Sequence, residues 1–488
     1  MKLESSRASD GLVLMLVLAV LAGFLCVAFK IQLVEGLEDI HIKADGSVVP
    51  SWVPISSVDN VTYTFNDAIA DDFIIVERDN IIIDGAGFTL QMTGQSRGLY
   101  KGIRIAGREN VTVTNLKIKA FMSGIEIAES SNVTICGNNI TANVYGIALG
   151  NSSRSNTVFG NYVADNSYGI YLEDSSNQIL YENVIDNNAF SFHVIGSEPC
   201  HFVHSIDASN LVNGKPVYYI VNQTNLVLTN VTHPQVGYLA LANCTNITVD
   251  GLSLANTAPV LLLAYTSNST IMNSLMTNSN AANGWYGVLL ESSYNNTFAR
   301  NNITENNTGM LLKNSSHNTF TSNNIKNNGL GARLMLSSDN NVFISNNIAN
   351  SNEGVSLERS CNNTFAGNNV TGNRFGIELF CSFSNIFYHN NFTDNAEHVR
   401  LLPSSWPNFW DDGYPSGGNF WSGYSDVDQY SGPYQNETGS DGIWDHPYVM
   451  STENQDNYPT VPEFPTHIML LALMMFTFVI IAIHKREG

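Results

Sequence analysis

The chain has 488 residues, of which 13% are charged and 43% are hydrophobic, and its formal net charge is −21. With 22 Lys and Arg residues against 43 Asp and Glu residues, it lacks the cationic excess by which proteins bind nucleic acid. The hydrophobic fraction is too high for a disordered chain, and a large excess of Asn indicates a surface of uncharged amides and hydroxyls.

The chain begins with a hydrophobic leader. Residues 12–29 are apolar and follow a short segment that carries Lys2 and Arg7, which is the pattern of a signal peptide or an uncleaved signal anchor. We assign residues 1–35 to this leader and residues 36–71 to an N-terminal cap on the body that follows. One of the six cysteines lies in the leader, so an odd number remains and a disulfide framework is not indicated.

The body is built from a short sequence repeat. A Gly-apolar-x-apolar motif recurs, and its consecutive members lie 22 or 23 residues apart. The motif glycines are Gly102, Gly124, Gly146, Gly169, Gly287, Gly309, Gly354 and Gly376. Between them lie a Ser/Asn turn, a short alternating strand and an Asn pair, so each repeat predicts three short strands.

Strands this short are stable only if successive repeats stack as coils and share one hydrophobic column. A leucine-rich horseshoe has a similar period, but the helix-forming stretch of that fold is missing here. We therefore predict an all-β, right-handed parallel β-helix over residues 72–400, with about fourteen or fifteen coils of ~22 residues.

The Asn excess follows from the same repeat. Asn pairs recur at one phase, at positions 138–139, 301–302, 323–324, 346–347 and 368–369. Asn tolerates left-handed backbone angles at tight turns, and its amide can bond to the equivalent Asn one coil along. We interpret these residues as structural ladders.

Residues 191–236 interrupt the repeat, and the coils resume at residue 237. The Gly and Asn repeats, together with the interruption "NGKPVYY" at 213–219, resemble the NosD-like β-helix family and the wider carbohydrate-binding and sugar-hydrolase β-helix domains. The resemblance implies the fold, and an activity that ranges from carbohydrate binding to polysaccharide cleavage. For NosD proteins proper it implies copper delivery to a periplasmic reductase.

One local cluster has the chemistry of a copper or zinc site. Cys200, His201 and His204 supply the soft thiolate and the imidazoles that these metals prefer. However, all three share one segment, and positions 201 and 204 of an extended strand point to opposite faces. A packed His/Cys cluster is the alternative.

A catalytic site is not evident from the repeats. A hydrolase needs carboxylates on neighbouring coils, and a lyase needs an acidic cluster with a basic residue. The column after the Gly motif contains Ala128, Gly150, Glu173, Glu291, Lys313, Glu358 and Phe380. Glu173 and Glu291 are several coils apart, and Glu126 and Glu378 would lie at opposite ends of the rod, so we predict no catalytic residue.

Residues 401–461 differ in composition from the coils and predict a C-terminal cap rich in aromatic residues and Asp. Its tryptophans are candidates for stacking on a glycan, or for closing the open end of the rod: Trp406, Trp410, Trp421 and Trp444. Four carboxylates, at Asp426, Asp428, Asp441 and Asp445, are candidates for a structural calcium site. An insertion at 429–440 breaks the spacing of an EF-hand loop.

The C-terminus predicts a membrane anchor. Residues 468–483 are apolar and a basic tail follows, so the positive-inside rule places that tail in the cytoplasm and the body outside the cell. Pro462, Glu463 and Phe464, the apolar span and the tail together resemble the PEF-type sorting signal of archaeal surface proteins. The resemblance implies recognition of residues 462–488 by a membrane transpeptidase, and a simple tail anchor is the alternative.

Asn-x-Ser/Thr sequons are frequent and agree with an extracellular body. Candidate glycosylation sites include Asn132, Asn139, Asn302 and Asn391.

The sequence thus predicts a membrane-anchored extracellular β-helix that binds carbohydrate or has a structural role at the cell envelope. Its expected partners are envelope glycans or surface proteins, the membrane and a sorting transpeptidase, with no nucleic acid. The main alternative is a polysaccharide lyase, epimerase or hydrolase, and the second is a NosD-like copper-binding protein. Calcium is the only cofactor expected, in a structural role.

Overall fold

The computed structural model describes residues 39–93, 98–257, 259–277, 286–403 and 406–462. A typical coil contributes one long strand and two short ones, and each of these strands pairs in parallel with its equivalents in the coils before and after it. Ile125, for example, lies beside Ile103 of the preceding coil and Ile147 of the next. The alternating side chains Ile125 and Ile127 are fully buried, because they point into the column that the coils enclose.

Three sheets enclose the first solenoid, with strands numbered in chain order. Sheet 1 contains β1 (Asp39–Ile42), β2 (Val48–Val49), β6 (Phe73–Val76), β9 (Lys101–Ala106), β12 (Ser123–Ala128), β15 (Tyr145–Gly150), β18 (Tyr168–Glu173) and β21 (Phe190–Ile195). Sheet 2 contains β3 (Ile55–Ser56), β4 (Thr62–Phe65), β7 (Ile81–Asp84), β10 (Val111–Thr114), β13 (Thr134–Cys136), β16 (Thr157–Phe159), β19 (Ile179–Tyr181) and β22 (Ser205–Ile206). Sheet 3 begins with β5 (Ile69–Ala70), β8 (Thr89–Gln91), β11 (Lys117–Lys119), β14 (Asn139–Thr141), β17 (Tyr162–Ala164), β20 (Val184–Asp186) and β23 (Leu211–Val212).

Sheet 3 continues into a second solenoid, which sheets 4 and 5 complete. Its further strands are β24 (Lys215–Val221), β26 (Tyr238–Ala242), β29 (Leu261–Ala264), β32 (Tyr286–Glu291), β35 (Thr308–Lys313), β38 (Leu330–Met335), β41 (Glu353–Glu358), β44 (Phe375–Phe380) and β47 (Glu397–Leu401). Sheet 4 contains β25 (Val227–Thr229), β27 (Thr248–Asp250), β30 (Thr270–Met272), β33 (Thr297–Ala299), β36 (Thr319–Thr321), β39 (Val342–Ile344), β42 (Thr364–Ala366) and β45 (Ile386–Tyr388). Sheet 5 contains β28 (Ser253–Ala255), β31 (Leu275–Thr277), β34 (Asn302–Thr304), β37 (Asn324–Lys326), β40 (Asn347–Ala349), β43 (Asn369–Thr371), β46 (Asn391–Thr393) and β48 (Phe420–Trp421).

Among the described residues, three small elements lie outside these sheets. A 3₁₀-helix spans Pro199–Phe202, and two hairpins follow the last coil: β49 (Tyr430–Ser431) with β50 (Glu437–Thr438), and β51 (Tyr448–Val449) with β52 (Gln455–Asp456). The solenoid starts earlier than predicted, because β1 and β4 already lie parallel to β6 and β7. Residues 39–71, the described part of the segment 36–71 that the sequence assigns to a cap, therefore supply most of a coil.

The predicted Asn ladders are confirmed. The first Asn of each pair is buried: Asn346 donates from Nδ2 to Oδ1 of Asn368 at 2.9 Å, and its own Oδ1 accepts from Nδ2 of Asn323 at 3.0 Å. The second Asn lies on the outside, where Asn347 donates to Asn324 at 2.8 Å. From β34 to β46, each coil is thus registered on the next by an inner and an outer line of amides.

The motif glycines are explained by a close approach between coils. A Cβ atom on Gly309 would lie 2.6 Å from the carbonyl oxygen of Gly331 in the next coil. No side chain fits at that separation without displacing the backbone, so the repeat requires glycine there.

The two solenoids do not form the single straight rod that the repeat count suggests. The turn Asn213-Gly214 has positive φ angles of 48° and 74° and reverses the chain, so β24 pairs antiparallel with β23. From there sheet 3 has a core on each face. Leu239 and Leu241 of β26 belong to the second core, whereas Ala240 and Ala242 of the same strand belong to the first.

The second solenoid therefore lies across the open end of the first. Leu262, Leu289 and Leu311 point outward from the second solenoid, yet they are at most 5% exposed and belong to the first hydrophobic cluster. Ring contacts support this junction, since Tyr238 lies 5.5 Å from Phe192 and Tyr265 lies 5.7 Å from Phe202. The interruption predicted at 191–236 is the region that contains this turn.

Candidate functional site

Charged side chains are concentrated on two of the outer faces. Sheets 2, 4 and 5 together have 24 strands, which contain only three charged residues, namely Asp84, Asp250 and Lys326. In contrast, the strands of sheet 3 from β32 to β47 contain Glu291, Lys313, Arg333, Glu353, Glu358, Glu378, Glu397 and Arg400. We call the outer side of these strands the sheet 3 face, and the outer side of β9 to β21 the sheet 1 face.

The sheet 1 face has two aromatic columns that follow the stacking of the coils. In the first column Tyr168 stacks on Tyr145 at 4.8 Å and on Phe190 at 4.5 Å. In the second, the rings of Tyr171 and His193 are nearly parallel, with centroids 5.6 Å apart. The columns form because parallel pairing places equivalent positions of successive coils side by side.

A cavity of about 330 Å³ lies beside these columns. Ala148 and Gly150 line it together with Tyr145 and Tyr171, and the remaining lining includes Lys101, Glu126 and Glu173. The small residues replace bulkier side chains at the same register on neighbouring strands, where Ala148 lies between Glu126 and Tyr171. We call this depression the groove.

The groove has a strong ion pair at one end. Glu126 Oε1 lies 2.5 Å from Lys101 Nζ, and its Oε2 lies 3.4 Å from Arg104 Nε. At the other end, burial and then the negative charge of Glu173 raise the pKa of the Tyr171 hydroxyl, which stays protonated as a hydrogen-bond donor.

The sheet 1 face meets the sheet 3 face at the junction of the solenoids. Burial, followed by the positive charge of Lys313, lowers the pKa of His193 to about 4, so the ring is neutral at physiological pH. Burial also raises the pKa of Tyr286, with contributions from the nearby Tyr168 and Glu291. The charged sheet 3 face therefore lies next to the aromatic columns of the sheet 1 face.

Salt bridges dominate the sheet 3 face. Lys313 Nζ lies 3.8 Å from Glu291 Oε2, Arg333 Nη2 lies 2.7 Å from Glu358 Oε2, and Arg400 Nη1 lies 3.1 Å from Glu378 Oε2. Burial and then the negative charge of Glu378 raise the pKa of Glu353.

Sequence reasoning missed this site because it treated the body as one rod. Glu173 belongs to the sheet 1 face and Glu291 to the sheet 3 face, and these two faces meet at the junction rather than lying several coils apart along one wall. Two features of the sequence could have indicated the site. These are the charged residues on the Gly-motif strands and the Tyr residues at the first position of β15 and β18.

The predicted copper or zinc ligands contact other parts of the protein in the structure. His204 is buried, with Nε2 2.9 Å from the carbonyl oxygen of His201 and Nδ1 accepting from the backbone of Gln178 at 3.4 Å. His201 Nδ1 accepts from two backbone amides, while Cys200 is exposed. These nitrogens already have protein partners, and among the described residues no three His, Cys, Asp or Glu side chains are grouped to hold a metal.

The four aspartates of the candidate calcium site hold the cap together instead. Asp428 accepts from the amides of Asp441 and Gly442 at 3.1 Å, and Asp445 accepts from the amide of Tyr430 at 3.0 Å. Asp426 pairs with His446 at 2.7 Å. In the described cap, no three of these carboxylates are grouped as a metal ion requires.

Two of the four tryptophans cannot stack on a glycan. Trp410 and Trp421 are each 1% exposed, because they extend the inner rows of phenylalanines and close the end of the second solenoid. Trp406 is 62% exposed, and Trp444 is partly exposed. The end-closing interpretation therefore applies to Trp410 and Trp421.

The candidate glycosylation sites differ in exposure. Asn132, Asn139 and Asn391 are exposed, whereas Asn302 is half-buried in the outer ladder, where it accepts from Asn324 at 2.8 Å. The five described cysteines are unpaired.

The leader and the segment from Glu463 onward lie outside the described residues. Within the described ranges, no helix is long and apolar enough to cross a membrane.

Two family models match the chain. Residues 40–213 match the model described as periplasmic copper-binding protein (NosD), and residues 237–402 match the right handed beta helix region. The first match covers the first solenoid, and the second covers the coils beyond the turn. No curated protein gives a significant match.

Among solved structures, a mutant of the periplasmic alginate epimerase AlgG is 14% identical, with 72% of this chain and 81% of that chain covered and a TM-score of 0.32. The A-module of the mannuronan C-5 epimerase AlgE6 of Azotobacter vinelandii is 13% identical, with 71% and 91% covered and a TM-score of 0.27. The DFA-IIIase of Arthrobacter chlorophenolicus A6 is 12% identical, with 61% and 64% covered and a TM-score of 0.24. These similarities carry no functional argument.

The coil geometry and the two family matches agree on the architecture that the Gly and Asn repeats predict. Every coil-to-coil pairing within the solenoids is parallel, and the family matches supply the right-handed sense. The chain is a right-handed parallel β-helix, whose first solenoid is similar to the NosD model and whose second is similar to the model of the right handed beta helix region.

Proposed function

We propose that the protein binds carbohydrate at the cell surface, with the groove and the aromatic columns of the sheet 1 face as its binding site, and that its terminal hydrophobic segments tether it to the membrane. The observation that carries this proposal is the groove itself, in which Tyr145 and Tyr171 stand beside a floor of Ala148 and Gly150. The match to a family described as periplasmic supports a body outside the cytoplasm.

The chemistry of the groove suits a sugar. The apolar face of a pyranose ring packs on an aromatic ring, and its hydroxyls bond to carboxylates and to protonated phenols. Tyr145 and Tyr171 supply the rings, while Glu126 and Glu173 supply acceptors at the two ends. A concave site with apolar walls and a few polar groups is the usual form of a ligand site.

The position of the sequons supports the same face. The strands of sheet 1, and those of sheet 3 in the second solenoid, contain no Asn, so every sequon lies on a turn or on another sheet. Glycans attached to Asn132, Asn139 or Asn391 would cover those surfaces and leave the sheet 1 face accessible.

The test is a double substitution, Tyr145→Ala with Tyr171→Ala, in the protein that carries its full solenoid body. Affinity electrophoresis against a panel of neutral and acidic polysaccharides measures binding. We expect the double variant to bind at least roughly tenfold more weakly, because about 1.4 kcal/mol or more of ring contact is lost.

The matched control is Tyr162→Ala, which removes a 42% exposed tyrosine from the outer side of sheet 3 in the first solenoid. This control should bind like the unaltered protein. Equal weakening by both changes, or release of new reducing ends during the incubation, would contradict a binding role for the groove.

A further inference from the structure

We infer that the groove takes an uncharged glycan, which lies along the stacking direction of the coils. This inference rests on the proposed function and names its ligand class. It follows from the charge state of the groups that a glycan would meet on the two faces.

Every basic side chain on the sheet 1 face is already engaged. Lys101 and Arg104 both pair with Glu126, at 2.5 Å and 3.4 Å, and the Glu126 side chain is only 20% exposed. A sugar carboxylate that bound Lys101 or Arg104 would draw that cation away from Glu126. The negative charge of the largely buried Glu126 would then be poorly neutralised, which costs free energy.

The basic side chains of the sheet 3 face, which a longer glycan would reach, are also paired with carboxylates. Lys313, Arg333 and Arg400 each have a carboxylate partner at 3.8 Å or less. Their partners Glu291, Glu358 and Glu378 have side chains that are 13–23% exposed, so these pairs are also partly shielded from water.

The unpaired charges on the strands of these faces are negative. Among the described residues, these are Glu173, Glu353 and Glu397, none of which has an ion-pair partner. His193 adds no positive charge, because its ring stacks on Tyr171 and is neutral at physiological pH. With a net charge of −21 over the chain, a polyanion would be repelled at long range and would find no free cation in the groove.

The aromatic columns set the direction of the ligand. Tyr145 and Tyr168 are partly exposed and occupy successive coils with ring centroids 4.8 Å apart, and the buried Phe190 supports Tyr168 from the next coil. The two tyrosine rings therefore line a path that crosses the strands and leads from the groove toward the junction. A linear chain of sugar rings matches this path better than a single sugar does.

The experiment compares polymers that differ only in charge. Polygalacturonate and alginate are each paired with the polymer obtained by reducing their carboxyl groups to alcohols, and neutral glucans and mannans complete the panel. We expect the protein to bind uncharged members at least roughly tenfold more tightly than polyuronates, and this binding to resist an increase in salt. Tighter, salt-sensitive binding of the polyuronates would overturn the inference and leave carbohydrate binding intact.

A charge variant tests the cause. Glu126→Gln frees Lys101 and Arg104, so it should raise the affinity for polygalacturonate by roughly tenfold. Glu182→Gln, in an exposed turn, removes the same charge without freeing a cation of the groove and should change nothing. If Glu126→Gln gains no affinity, pairing is not what excludes acidic polymers and the inference fails. If neither the acidic nor the uncharged polymers bind, the proposed function fails with it.

Discussion

At the scale of single residues, the buried asparagines define the register of the coils. The Asn346 side chain makes four hydrogen bonds: its Oδ1 accepts from the backbone and side-chain amides of Asn323, and its Nδ2 donates to the carbonyl of Phe320 and to Asn368. Buried amides are costly unless fully bonded, so each member of the ladder depends on its two neighbours. The outer asparagines have water as an alternative partner.

Replacing an inner asparagine should therefore cost more than replacing an outer one. We expect Asn346→Ala to lower the free energy of unfolding by about 1–3 kcal/mol, since the amide and carboxamide groups of Asn323 lose a buried partner. Asn347→Ala, one position along and half-buried, should cost less than about 1 kcal/mol. Urea unfolding followed by circular dichroism measures both, and equal costs would contradict a special role for the inner ladder.

At the scale of elements, the last hairpin ends the ladders. Asn454, just before β52, accepts from Asn408 and from Trp410 Nε1, and Asp456 in β52 accepts from the amide of Asn419 at 2.7 Å and from Trp421 Nε1 at 2.9 Å. Asp456 is fully buried, and burial raises its pKa to about 7. An acid thus occupies the position that asparagine fills in the six preceding coils of this ladder, from Asn301 to Asn419.

This acid makes the stability of the cap depend on pH. Between its ordinary pKa of 3.8 and its folded pKa of about 7, the folded chain holds a proton that the unfolded chain has lost. Stability therefore falls as the pH rises through this window and is lowest above pH 7. We expect the melting temperature to be higher at pH 5 than at pH 8.

Asp456→Asn should remove this part of the pH dependence, because the amide oxygen still accepts from Trp421 and carries no charge. Asp394→Asn, at an exposed position, serves as the control and should keep the slope of the unaltered protein. Melting curves between pH 4.5 and 8 decide the matter, and a slope unchanged by Asp456→Asn would show that another group titrates.

At the scale of the whole molecule, the junction between the solenoids creates the site. An outward side chain of an ordinary coil faces water, yet Leu311 is 2% exposed because it packs on the first hydrophobic cluster. Sheet 3 thereby closes the end of the first solenoid and places the charged face next to the aromatic columns. Without this closure the first core would end in an unprotected edge.

The junction predicts an unusual cost for an outward residue. Leu311→Ala should lower the free energy of unfolding by about 2–4 kcal/mol, as for a core leucine. Ile344→Ala changes an outward residue of sheet 4 that is 40% exposed, and should cost less than about 1 kcal/mol. Denaturation of the two variants compares them directly, and similar small costs would argue against the junction in solution.

The coils could be predicted from the sequence, while the site could not. Gly309 and its equivalents mark the close approach of coils, and the Asn pairs mark the ladders, so local spacing suffices for both. The site depends on which sheets face each other across the junction, and this is decided by the turn at Asn213-Gly214. Asn-Gly between two strands is a strong hairpin signal, but its effect on distant faces requires the three-dimensional path of sheet 3.

The shared sheet divides the repeats into two classes with different freedom to vary over evolutionary time. Beyond β38, a duplication or loss of one unit of 22 residues preserves the ladders, because each new rung bonds as the old one did. Between β24 and β35 the same event shifts Leu289 and Leu311 away from the end of the first solenoid. Length variants of this architecture should therefore gain and lose units toward the cap, while the number of units that span the junction stays constant.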